Sequence, residues 1–134
     1  MRPARIALAA LATALLIPAQ GHAQAPQIWA CEEGIRDLTG NLPTVLWRYQ
    51  LALNPDGSYA EQGLIFAVGM QYPMQGQGRW QVQGNMFRAV GQRQDGQIGL
   101  QQHELNLLIT SPTYMHDTTQ GGNRVFAAQC QRQQ

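Results

Sequence analysis

The residues able to do chemistry in this chain are few and scattered. His103 precedes Glu104, and His116 precedes Asp117. On a strand, sequence neighbours point to opposite faces, so neither pair converges by itself. A zinc site would need His103 and His116 to face each other across adjacent strands with a carboxylate beside them; surface polar residues are the plainer reading. Met70-x-x-x-Met74, with Met115-His116 elsewhere, is a soft donor set that would suit copper(I) in an oxidising compartment. Methionine is more often a gap-filler, which makes packing the stronger reading and a periplasmic copper binder only a third option. Glu32-Glu33 beside Arg36 has the form of a carboxylate pair, but adjacent acids at a strand end are ordinarily solvated. Ser58 and Ser111 sit in turn contexts, and there is no G-x-S-x-G, H-E-x-x-H or phosphate loop. The chain has no lysine, which removes lysine nucleophiles and Schiff-base chemistry. These residues give no catalytic assignment, no metal site and no cofactor.

The remaining pair, Cys31 and Cys130, lies near the two ends of the region after the leader. That leader is read from Arg2 and Arg5, the apolar run Ile6–Ile17, the break at Pro18 and the small residues Gly21 and Ala23. This is the form of a secretory signal peptide over 1–23, too short for a membrane span, leaving a domain over 24–134. Without a cysteine at the cleavage point or paired arginines before the apolar run, neither a lipid anchor nor twin-arginine export is expected. Export places the two cysteines in a periplasmic or secreted, oxidising setting, where a disulfide is the expected state. The domain carries seven arginines against eight acids, a balance of minus one with no basic stripe. Nucleic acid and anionic membranes are therefore poor partners.

The elements that must position these residues read as strands. Val45, Trp47, Tyr49, Leu51 and Leu53 alternate with Leu46, Arg48, Gln50 and Ala52, the period of a strand with one covered face. Asn54-Pro55-Asp56-Gly57 is a turn, and Tyr59 lies on the return strand. Glu61 and Arg48 are expected to pair across this hairpin on its polar face. Gly63 is expected to mark a bulge or a bend. Strands are also read at Ile28–Glu32, Arg79–Gln83, Met86–Arg93, Gln101–Thr110, Thr113–Thr118 and Arg124–Gln131. Glu33–Thr44 reads as a loop with a helical turn near Ile35–Leu38. Ala67–Gly78, rich in glycine, reads as a long flexible loop with an apolar underside. The sum is an all-β chain of about eight short strands in up-and-down order, which closes into a small antiparallel barrel to remove its edges. If the first strand meets the last, Cys31 and Cys130 staple the seam.

The run W-R-Y-Q-L-A-L-N-P-D-G-S-Y, then G-Q-G-R-W-Q-V-Q-G-N, then E-L-N-L-L-I and a closing C-Q-R resembles the small bacterial lipocalin-like (calycin) barrels of the periplasm. The resemblance spans Trp47 to Arg132. It departs from the true lipocalin pattern in the short chain and in the position of the glycine-tryptophan pair. It implies a barrel with a binding surface but names no ligand, since members bind apolar small molecules, inhibit proteases or have no known role. Trp47, Tyr49, Tyr59, Phe66, Trp80, Phe87, Leu105, Leu107 and Phe126 are the candidates to line a pocket. An eight-stranded barrel is wide enough to be filled by side chains or to hold one small ligand. The leading expectation is a binding module for a small apolar ligand with the 67–78 loop as its lid. The alternative is a filled barrel that contacts another exported protein through Met70, Tyr72 and Met74.

Overall fold

The computed structural model describes residues 25–134 except Gln97, and leaves out the side chain of Gln120. The signal-peptide reading of 1–23 lies outside the described residues. Alternating sequence becomes alternating burial. In β2 (Val45–Leu53), Tyr49, Leu51 and Leu53 are buried while Arg48 and Gln50 are exposed. The turn after it closes with Gly57 at φ 90°, and Asp56 accepts the backbone N–H of Ser58 at 2.9 Å.

The other strands are β1 (Gln27–Asp37), β3 (Ser58–Ala67), β4 (Met70–Gln83), β5 (Met86–Asp95), β6 (Leu100–Ser111), β7 (Tyr114–Gly121) and β8 (Arg124–Arg132). Each pairs antiparallel with the next, and β8 closes on β1 to complete an eight-stranded up-and-down barrel. Cys31 and Cys130 are direct partners in the β1–β8 ladder and are disulfide-bonded, with Cα atoms 4.1 Å apart. Such a bond persists in an oxidising environment.

Four sequence expectations are corrected. β1 runs on through Glu33 to Asp37, so the segment 33–37 is strand, and the connection shrinks to 38–44 without a helical turn. The 67–78 segment is not a loop. A two-residue turn at Val68 and Gly69, with φ of 52° and 71°, leads into the 14-residue β4. Gly63 is in unbroken register opposite Tyr49, and the irregularity falls instead between Ile109 and Ser111. At Gly63 a Cβ would run into the Arg48 carbonyl, so the glycine permits close strand approach rather than a bulge. Finally, Glu61 does not pair with Arg48: Arg48 reaches Glu32 on the outer wall at 2.9 Å, and Glu61 points inward.

Side chains pack the lower and middle interior. Trp29, Leu51, Leu53, Tyr59, Met74, Phe87, Leu105, Leu107 and Met115 are all buried there. Up-and-down order places the β1–β2, β3–β4, β5–β6 and β7–β8 connections at one end of the barrel. At that end the filling stops short of the rim.

Candidate functional site

The space left at the open end is a cup of about 540 Å³ lined by Val45, Trp47, Ile65, Ala67, Tyr72, Asp95 and Ile98. Its walls follow from strand parity. Val45 and Trp47 extend the inward row of β2, Ile65 and Ala67 that of β3, and Tyr72 that of β4. Asp95 ends β5, and Ile98 comes from the connection to β6. The volume lies within the range of small-molecule sites. Exposed apolar residues ring this end: Leu38, Leu42, Val68, Met70, Ile98 and Leu100.

One charged group stands in this apolar lining. Asp95 is 8 % exposed, and its Oδ1 has no hydrogen-bond partner among the described residues. The indole N–H of Trp47 is likewise unpartnered. Burial pushes the Asp95 carboxyl above the usual aspartate range, and the pull of Arg93 and His103 does not fully offset it.

Deeper on the same face of β5 lies a buried ionic network. Arg93 donates through Nε to Glu61 Oε1 at 2.8 Å and through Nη2 to Glu61 Oε2 at 3.1 Å. The same Nη2 donates to Glu33 Oε2 at 2.7 Å. The guanidinium also lies 5.0 Å from the centre of the Tyr49 ring. His103 Nε2 meets Glu33 Oε1 at 3.2 Å; an ionised carboxylate only accepts, so Nε2 carries the proton. Burial works to raise the Glu33 pKa, but the His103 hydrogen bond and the Arg93 charge together hold it below the usual glutamate value. Burial opposes the charge on Arg93 too; its carboxylate partners more than compensate and raise its pKa. Burial and the neighbouring Glu33 drive the Tyr49 phenol well up. Burial and Glu61 take Tyr59 to about 12. Inward glycines make room for these long side chains. A Cβ on Gly76 would strike Glu61 Oε1, and one on Gly91 would lie 2.6 Å from the Tyr59 hydroxyl.

Of the residues expected to line a pocket, Trp47 borders the cup, and Tyr72, expected as a loop contact, does so too. Tyr49, Tyr59, Phe87, Leu105 and Leu107 fill the interior, and Trp80 and Phe126 are partly buried against that core. Phe66 is a correction: it faces outward, with the Arg48 guanidinium 5.6 Å from its ring centre. The Met70, Tyr72, Met74 contact set is also corrected. Met74 is core and Met70 stands at the rim, with Tyr72 donating to its sulfur at 3.3 Å. Met74 and Met115 are packed in the core, as expected of gap-filling methionines, while Met70 is exposed. His103 faces inward, while His116 stacks on Tyr114 on the outer wall at 5.6 Å. The two histidines therefore share no zinc site.

Glu33, Glu61, Arg93, Asp95 and His103 escaped the sequence reading as a group. Their parity held the signal. Glu33 is in step with Trp29 and Cys31, Glu61 with Tyr59, Arg93 and Asp95 with Phe87 and Ala89, and His103 with Leu105 and Leu107.

The fold and cup define a closed eight-stranded up-and-down barrel with a cup at one mouth. No family model, curated protein or solved structure matches the chain.

Proposed function

We propose that this chain is an exported, lipocalin-like binding protein of the periplasm that takes a small, mainly apolar molecule into its mouth. The observation that carries the reading is the cup itself: about 540 Å³ walled by Val45, Trp47, Ile65, Ala67, Tyr72 and Ile98 with a single buried acid. Sites that hold small molecules combine such walls with few polar groups. The β3–β4 hairpin, through Val68 and Met70, is part of the rim rather than a flexible lid. Uptake of the fluorescent probe N-phenyl-1-naphthylamine tests the reading. Binding by the wild type, lost in Ala67→Trp, which fills the cup, is the expected result. No uptake, or uptake that Ala67→Trp leaves unchanged, overturns it.

The apolar crown of Leu38, Leu42, Val68, Met70, Ile98 and Leu100 favours a second reading, contact with another exported protein. Pull-down from periplasmic extract with the wild type and with a Leu42→Asp, Val68→Asp, Ile98→Asp variant separates the two. Equal recovery of every partner removes the second reading.

A further inference from the structure

We propose that the occupant of the cup is a small organic cation, a primary or secondary amine on an aromatic or aliphatic body, with its ammonium group on Asp95. The inference rests on the cup being a binding site and narrows the class of its ligand.

Three observations carry it. The first is the unpartnered Oδ1 of Asp95, a residue 8 % exposed in a lining that is otherwise apolar or aromatic. An ionised carboxylate accepts hydrogen bonds and donates none, so its natural complement brings N–H donors. A buried charge without a counter-charge is costly, and a bound cation supplies the missing one.

The second is the charge of the interior. Arg93 is the one guanidinium in the buried network, and its recorded bonds go to Glu61 and Glu33. Three carboxylates, Glu33, Glu61 and Asp95, are buried with it, so acids outnumber the guanidinium, and the acid at the mouth is Asp95. The nearby His103 is hydrogen-bonded to Glu33, not Asp95. A fatty acid or other anion placed in the cup would set its own charge against this surplus. The third is the pair of aromatic walls, Trp47 and Tyr72, since aromatic faces attract cations.

Three probes of one shape test the inference by calorimetry at neutral pH: 1-naphthylmethylamine, 1-naphthylmethanol and 1-naphthoate. The amine is expected to bind about 10- to 100-fold more tightly than the alcohol, the range of one charge-assisted hydrogen bond, and the carboxylate least. In Asp95→Asn, with its fold checked by circular dichroism, the amine and alcohol should bind alike. Asp95→Ser repeats the comparison should the asparagine variant fail to fold. If the alcohol matches the amine in the wild type, or naphthoate binds best, the cation assignment falls while the cup stands. If none of the three binds, both fall.

Discussion

Arg93 is the residue on which the interior depends. Its side chain is 4 % exposed between Glu33 and Glu61; without it Glu61 loses both of its Arg93 hydrogen bonds and Glu33 keeps only His103. Removing one partner of a buried ionic cluster costs about 3–5 kcal/mol, so Arg93→Leu should lower unfolding stability by that order. Urea titration checks this; a loss below about 1 kcal/mol would show that the network is dispensable. Glu33 sets an acid limit. Its folded pKa lies below the ordinary 4.5, so its contribution is complete above that value and disappears as pH drops through the lower folded one. Asp95 has the opposite sign. Its folded pKa is raised above 3.8, so ionising it costs stability, and the cost grows as pH rises past that value. Asp95→Asn should therefore raise the melting temperature of the ligand-free protein at pH 7. The gain should vanish when melting is repeated below pH 3.8, where wild-type Asp95 is protonated. Glu33, Glu61 and His103 read from sequence as solvated or outward groups, and Arg93 and Asp95 had no inward role there, because charged and polar side chains are mostly exposed. The strand period that correctly placed Tyr49 and Leu51 would have placed them as well. Phe66 shows the converse error: an aromatic assigned inward by type, although its parity in β3 sends it outward.

At the scale of elements, β4 departed furthest from expectation. Glycine density at Gly69, Gly76 and Gly78 argued for a loop, yet two of these glycines are interior strand positions facing bulky neighbours. Sequence does not distinguish a glycine needed for a turn from one needed to clear space, because the neighbour across the barrel is unknown. The structure makes the difference testable. Gly76→Ala sets a methyl group against Glu61 and 2.8 Å from the Gln92 carbonyl, and should cost about 1–3 kcal/mol by denaturant unfolding. The β3–β4 turn offers the reverse case. Val68 is branched at Cβ, exposed, and held at φ 52°, where asparagine is far better tolerated. Val68→Asn should add about 1 kcal/mol, read by the same titration. No change, or a loss, would mean that Val68 relieves its strain through contacts at the rim.

For the whole molecule, closure was legible because an up-and-down run of strands loses its edges by closing, and two cysteines near opposite ends of the domain agreed with first and last strands meeting. The Asn54–Gly57 turn and the alternation of β2 supplied the rest of the pattern. The hollow at the mouth was not legible, since it depends on where side chains run out rather than on which are present. Cys31 and Cys130 are 99 residues apart, and opening that loop should cost about 4–5 kcal/mol in the chain-entropy model. A Cys31→Ala, Cys130→Ala variant compared by urea unfolding measures it; an unchanged midpoint would show that the ladders alone hold the seam.

The staves of this barrel are not joined evenly. Among the described residues, β6 and β7 are in register at Leu108–His116, Ile109–Met115 and Ser111–Tyr114, all toward the end away from the cup. Above that point this flank has no further ladder pairs among the described residues. His103, whose side chain keeps 16 % of its surface exposed, belongs to the part of β6 above that point. Deuterium should enter through this flank first and reach the sulfur-tied β1–β8 side last.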